Sequence, residues 1–210
     1  LMSLERLDEA KQAAESLVAG GRGNVGTRVS LLLIAFAQDD GAGMRRHLDW
    51  AAANPAAESI FGTQRAAIAM FGGRMREGEL FWRQRAERAE ARGDHALAAL
   101  TTAGAAFHVA LAGSATEVRE LTSAALRNPI TPDTVLRAAF ALALVGDAAG
   151  AEQRVSEYLR MDDVEAGSDP QYRAPTQALI EIERGRPDPA IELLASVKPY
   201  ELGLACVPTY

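Results

Sequence analysis

Cysteine is almost missing from this chain. Cys206 stands alone among 210 residues, so no intrachain disulfide can form. Lysine is nearly as scarce: Lys11 and Lys198 are the only two, and arginine carries the rest of the positive charge. With the abundance of alanine, this reads as the codon bias of a GC-rich genome rather than as phosphate recognition. Positive charge is in deficit overall. The net charge of −6 argues against a general nucleic-acid binder, which needs a basic face to displace counterions from phosphates. The longest apolar run, 31–37, falls far short of the roughly 20 residues that a bilayer span takes, and no secretory signal precedes it. No nucleic-acid or membrane contact is therefore expected of this segment.

Apolar residues make up 48% of the chain and charged residues 24%, a soluble globular composition rather than a disordered one. The length is enough for a real core, in one elongated domain or two small ones. Strand-like alternation is absent. Apolar and alanine positions instead recur three and four apart almost throughout, which predicts helices near 3–19, 25–38, 42–53, 57–73, 77–92, 95–112, 115–127, 132–145, 148–161, 171–184 and 187–197.

The breaks carry turn chemistry. Ser114-Ala-Thr-Glu117 has the form of a capping box, in which serine and glutamate exchange hydrogen bonds with the helix start. Thr131-Pro132 and Asp169-Pro170 set a cap residue before a proline, which costs nothing in a helix's first turn. The three asparagines, Asn24, Asn54 and Asn128, also fall in breaks. Tight turns within helix pairs are expected near Gly41, Gly78, Gly113, Gly146 and Gly185, a spacing of about 33 to 39 residues, as in helical-hairpin repeats.

The cleanest unit runs from Val135 to Asp163, with small Ala139 and Ala151, a turn at Gly146, then Val155 and Tyr158. It resembles the tetratricopeptide repeat, in which small residues let two helices approach and a large one fills the next gap. A hairpin cannot cover its own apolar face, whereas stacked hairpins bury those faces continuously. The expected fold is therefore all-α: a right-handed α-α superhelix of tetratricopeptide-like hairpins, five of them plus a partial terminal one. Its units would be a leading helix at 1–24, then 25–55, 56–93, 94–129, 130–165 and 170–198, with 200–210 starting a further repeat. Both ends of the chain are expected to be cuts within a longer protein.

Several motifs tempt and fail. Gly20–Thr27 contains a G-x-G-x-x-G and lies one lysine short of a P-loop. A dinucleotide loop needs a strand before it and a carboxylate some twenty residues later. Here helical patterns flank the loop and Asp39 and Asp40 come too early, so it is expected to be an inter-helix linker. His47, His95 and His108 are far from Cys206 and form no i, i+4 pair with another ligand, so no metal site is expected. They are expected to be satisfied surface or groove histidines. No G-x-S-x-G nucleophile elbow occurs. Glu79, Arg83 and Glu87, four apart, suggest a solvated ion-pair ladder. Trp50 and Trp82 fall on second helices of their pairs and are expected to pack between neighbours. No catalytic residue and no cofactor is expected.

Laying the best units on the repeat puts Asp133, Leu136, Phe140 and Leu144, then Tyr172, Leu179 and Ile182, on the inward face. This groove is apolar and lacks the Lys/Asn array that clamps a C-terminal carboxylate in chaperone-binding repeats. It suits the hydrophobic face of a protein or peptide partner, another part of the same superhelix, a second copy of the chain, or further repeats of a longer parent protein.

Residues 35–59 (AFAQDDGAGMRRHLDWAAANPAAES), 140–153 (FALALVGDAAGAEQ) and 175–203 (PTQALIEIERGRPDPAIELLASVKPYELG) resemble the C-terminal tetratricopeptide-like region of large bacterial serine/threonine protein kinases of acidobacterial type. The resemblance implies a non-catalytic docking or sensing array attached to a signalling output domain. In many such kinases a membrane helix lies between kinase and repeats, which implies an extracytoplasmic location there. No H-R-D, D-F-G or V-A-I-K motif of a kinase is present in this segment. Related regions follow winged-helix domains in some transcriptional regulators, so an effector or oligomerisation region of such a regulator is an alternative, as is a structural dimerisation module.

Overall fold

In the computed structural model, which describes residues 6–127, 130–161 and 169–198, all regular structure is helical. Eleven α-helices are found among the described residues: α1 (Leu7–Ala19), α2 (Val25–Ala37), α3 (Gly41–Ala52), α4 (Glu58–Phe71), α5 (Met75–Ala91), α6 (His95–Leu111), α7 (Ala115–Ala125), α8 (Pro132–Leu144), α9 (Ala148–Tyr158), α10 (Asp169–Glu183) and α11 (Pro187–Ala195). A short 3-10 turn at Pro55–Ala57 precedes α4. The expected turn at Asn128, the capping side chain of Asp169, Cys206 and the start of a further repeat at 200–210 lie outside the described residues.

One turn design recurs. Gly146, at φ 76°, takes the left-handed conformation that only glycine adopts without steric cost. The next N–H, of Asp147, then donates to the Leu142 carbonyl at 3.0 Å, a bond that closes the end of α8. The Asp147 carboxylate in turn accepts from the Gly150 N–H at 3.0 Å and opens α9. Arg74, Asp94 and Arg186 repeat the backward bond, to Ala69, Ala89 and Glu181. Asp94 repeats the cap, accepting from the Leu97 N–H at 3.1 Å. One residue thus ends a helix and its neighbour starts the next, so consecutive helices fold back tightly.

The turn positions correct two expectations. Between α2 and α3 the left-handed residue is Asp39, φ 54°, not Gly41, which is already helical. A short polar side chain tolerates this conformation better than most. Asp40 follows as the cap, and the bond it accepts from the Gly43 N–H holds its carboxyl below the usual carboxylate range. Between α4 and α5 the turn is at Gly73, while Gly78 lies inside α5. Gly78 has a packing role instead: a Cβ there would stand 2.0 Å from Met70 Cγ. Ser114 caps α7 by position, but its side chain makes no capping bond, so the expected capping box does not form. Thr131 does cap α8, accepting from the Thr134 N–H ahead of Pro132.

Contacts divide the chain into two units, 1–81 and 82–210, with the boundary inside α5. In the first, α2 packs against α1, α3 and α4. Val29, Leu32, Ala51, Ala57 and Phe61 form its core cluster. Trp50 lies over that cluster, 5.9 Å from the Phe61 ring, with the Arg28 guanidinium 4.5 Å above its own ring. His47 is only 6% exposed. Its Nδ1 has no hydrogen-bond partner among the described residues, so it is a buried histidine and not the satisfied surface one expected. Burial, then Arg28 and Arg46, lower its pKa. The loop 20–24 joins α1 to α2, helix to helix. Asn24 and Thr27 there exchange capping bonds, Asn24 Oδ1 accepting from the Thr27 N–H at 2.9 Å.

In the second unit, α6 pairs with α7, α8 with α9 and α10 with α11, and α8 also packs against both α6 and α10. The buried faces of α6 and α8 are largely alanine. α6 buries Ala98, Ala99, Ala103, Ala105, Ala106 and Ala110, and α8 buries Ala138, Ala139, Ala141 and Ala143. Small side chains shorten the distance between helix axes. Val135, Leu136 and Tyr158 form the core cluster, with Leu126, Ile130, Met161 and Tyr172 packed around it. Ala139 and Ala151 are fully buried and Tyr158 is 1% exposed, the small-small-large arrangement that the 135–163 pattern suggested.

Candidate functional site

The first helices of the three hairpins in the second unit keep one face partly open. On α8 the half-buried positions are Asp133, Arg137, Phe140 and Leu144, four, three and four apart, which is one stripe of a helix. On α10 the matching stripe is Tyr172, Pro175, Leu179 and Ile182, with Ile182 54% exposed. On α6 it runs from Leu100 past Gly104 to Phe107 and Leu111, with His108 beside it.

Aromatic rings join these stripes across the helices. Phe107 stacks on Phe140 with centroids 5.6 Å apart, and Phe140 meets Tyr172 edge-on at 5.9 Å. His108 touches Phe107 and also stacks on Trp82 of α5, both at 5.2 Å. Gly104 lies beside that stack, where a Cβ would meet the indole at 3.5 Å, an ordinary van der Waals contact. The Arg137 guanidinium sits 4.9 Å from the centre of the Tyr172 ring. Such contacts are worth about 0.5–1.5 kcal/mol per aromatic pair beyond area burial, so the rings form a firm surface.

Six of the seven groove residues read from the sequence, Asp133, Phe140, Leu144, Tyr172, Leu179 and Ile182, are partly or well exposed on these stripes. Leu136 is not. It is fully buried in the core cluster, and the stripe position belongs to its neighbour Arg137. A shift of one residue is about 100° around a helix, which exchanges an apolar contact for a cation. The sequence reading missed Phe107 and Arg85 as members of this region; it expected His108 as a surface or groove histidine and Trp82 as a packing residue.

The electrostatics follow from that exchange. Burial lowers the His108 pKa, and Arg137 lowers it further. Burial likewise lowers that of Arg85, with Arg137, Arg88 and Arg92 adding to the effect. This part of a net acidic chain is locally cationic. Trp82 is 6% exposed, and its indole Nε1–H has no partner among the described residues; the same holds for Arg137 Nε–H.

Elsewhere the chain offers less. A hollow among α9, α10 and α11, lined by Val155, Leu159, Ile180 and Leu193, is edged by the ion pairs Arg184–Glu152 and Arg186–Glu181. His95 is exposed and bonded to Glu90 at 2.9 Å. The expected Glu79–Arg83–Glu87 ladder does not close, since no ion pair among the described residues joins them. Among the described residues no group of three or more His, Cys, Asp or Glu is placed to hold a metal, and no helix is long and apolar enough to cross a membrane. No family model, curated protein or solved structure matches the chain.

Proposed function

We propose that this chain is a tetratricopeptide-like helical-repeat region that binds a protein partner on the first-helix face of its second unit. One observation carries the reading: three successive first helices present their half-exposed stripes side by side, joined by the Phe107–Phe140–Tyr172 ring contacts. Monomeric proteins rarely leave a contiguous apolar surface of this kind unless something covers it. A helical or extended segment of a partner could lay its apolar side chains along the rings, as repeat domains hold peptides in grooves. In this reading the chain is a scaffold and carries out no reaction of its own.

The similarity of 35–59, 140–153 and 175–203 to the repeat region of bacterial serine/threonine kinases supports a place in such a signalling protein, as its docking or sensing part. The test of binding is capture of a partner by the purified protein, followed by its identification. Phe140→Glu and Leu144→Glu are expected to abolish capture while leaving the helical circular dichroism unchanged. Undiminished capture by both folded variants would refute the site. The test of the kinase affiliation is the coding sequence upstream of Leu1: a kinase catalytic domain supports it, and a winged-helix domain replaces it with the regulator reading.

A further inference from the structure

The floor of this face is aromatic, and two of its enclosed polar atoms are donors without a partner. Arg137 Nε–H and Trp82 Nε1–H are both donors, both enclosed, and both without a hydrogen-bond partner among the described residues. A buried donor left unmade costs roughly 1–3 kcal/mol, and more where it is charged. Arg137 also makes no ion pair among the described residues. Its guanidinium is held over the Tyr172 ring, a contact that orients it without neutralising it. Arg85 and Arg88 add positive charge nearby but have partners of their own. Arg137 is therefore a singly charged cation with no ion-pair partner among the described residues, and Asp133 lies one turn before it on the same stripe.

We propose that the partner segment bound on this face is acidic: a peptide that places one Asp or Glu carboxylate against Arg137 and apolar side chains along Phe107, Phe140 and Leu144. This rests on the interaction-face reading above and specifies its ligand. A carboxylate matches the site better than a phosphate because Asp133 stands one turn from Arg137 on the same stripe, and this like charge repels a dianion about twice as strongly as a monoanion. The carboxylate's two oxygens can accept from a guanidinium in the bidentate manner, as a phosphate's also can. A phosphate dianion would leave about half its charge unmatched in a half-buried place, where charge is expensive to strand. The chain as a whole is acidic, with a net charge of −6. Long-range attraction therefore does not favour an acidic peptide, and any preference for one must be made locally.

The test uses three synthetic twelve-residue peptide libraries passed over the immobilised protein. All carry Leu and Phe at the same positions; the polar positions are Asp/Glu in the first, Asn/Gln in the second and phosphoserine in the third. The expected result is at least tenfold greater retention of the acidic library than of the amide library. That ratio should fall to near one in Arg137→Gln, be partly kept in Arg137→Lys, and persist in Arg22→Gln, which changes the net charge equally at an exposed position of the first unit. Thermal melts of each variant establish that it is folded. Equal retention of the acidic and amide libraries, or a preference that survives Arg137→Gln, overturns the proposal. So does stronger retention of the phosphoserine library, which would make the ligand a dianion. If Phe140→Glu still removes capture of the partner while the amide library binds as well as the acidic one, the acidic ligand is refuted and the interaction face stands. If no library is retained and Phe140→Glu leaves capture intact, both fall.

Discussion

Leu136 and Arg137 are adjacent in sequence, yet the structure gives them opposite work, and alanine at each should separate stability from binding. Leu136 is fully buried beside Val135 and Tyr158. Truncating a buried leucine removes its transfer free energy and leaves a cavity, at roughly 2–5 kcal/mol in total. Val135, Tyr158, Leu126, Ile130, Met161 and Tyr172 fill the space around it, so a value of about 3 kcal/mol is expected. For a chain of this length that is roughly 6–12 °C in midpoint, at about 2–4 °C per kcal/mol. Arg137→Ala loses the contact over Tyr172, about 0.5–1 kcal/mol, but also removes an enclosed Nε–H with no partner. Its net effect on stability should stay within about 1 kcal/mol. Urea titration followed by circular dichroism measures both, and peptide retention measures binding. Leu136→Ala should unfold early yet bind normally when folded, and Arg137→Ala should do the reverse. If Arg137→Ala proved the more destabilising of the two, the assignment of α8's faces would be wrong.

Other outcomes follow from the turns, the packing and the histidines. Gly146→Ala forces a side chain into the left-handed region at φ 76° and should cost roughly 1–2 kcal/mol by chemical denaturation. Asp147→Ala should cost about 1 kcal/mol for the lost cap; it also frees Arg119, which bonds to Asp147 at 3.0 Å. Gly78→Ala drives a Cβ into Met70, and overpacking of about 1–3 kcal/mol should outweigh the helix-propensity gain of roughly 1 kcal/mol. Combining it with Met70→Ala should show a coupling of about 1 kcal/mol or more in a double-mutant cycle, and additivity would refute the contact. His47 and His108 both have folded pKa values depressed below the ordinary 6.5. The unfolded chain therefore binds protons first: the stability they contribute is complete above about pH 6.5 and is lost as pH falls toward their folded values. Melting temperatures measured across that window should fall on acidification, and less so in a His47→Phe, His108→Phe double variant.

Much of the helical framework was legible because helix starts and stops are local chemistry. Thr131-Pro132 and the paired turn-and-cap at Gly146-Asp147 act through their own neighbours, so the sequence displays them directly. Gly41 and Gly78 misled because glycine has two uses. At Gly78 it admits Met70, and a sequence does not distinguish close approach from a turn. The face of α8 was harder for a different reason. Val135, Leu136, Ala138, Ala139, Ala141, Leu142 and Ala143 are all buried, so the apolar pattern wraps most of the helix and leaves its phase ambiguous by one residue. Arginine ordinarily marks a solvated face. Arg137 departs from that by laying its stem and guanidinium over Tyr172, a residue 35 positions later that no local pattern connects to it. His47 and the Trp82–His108 stack depend in the same way on contacts between helices.

The most direct measurement is a photo-crosslinking map. A benzophenone amino acid is placed in turn at Phe107, Phe140, Leu144 and Leu179 on the open stripes, and at Glu120 and Arg160 on exposed positions of other elements. Each variant is irradiated in cells that make the protein at its native level. Crosslinks to a common partner from the four stripe positions, and none from Glu120 or Arg160, are the predicted result. Crosslinking spread evenly over all six positions, or confined to Glu120 and Arg160, would contradict it.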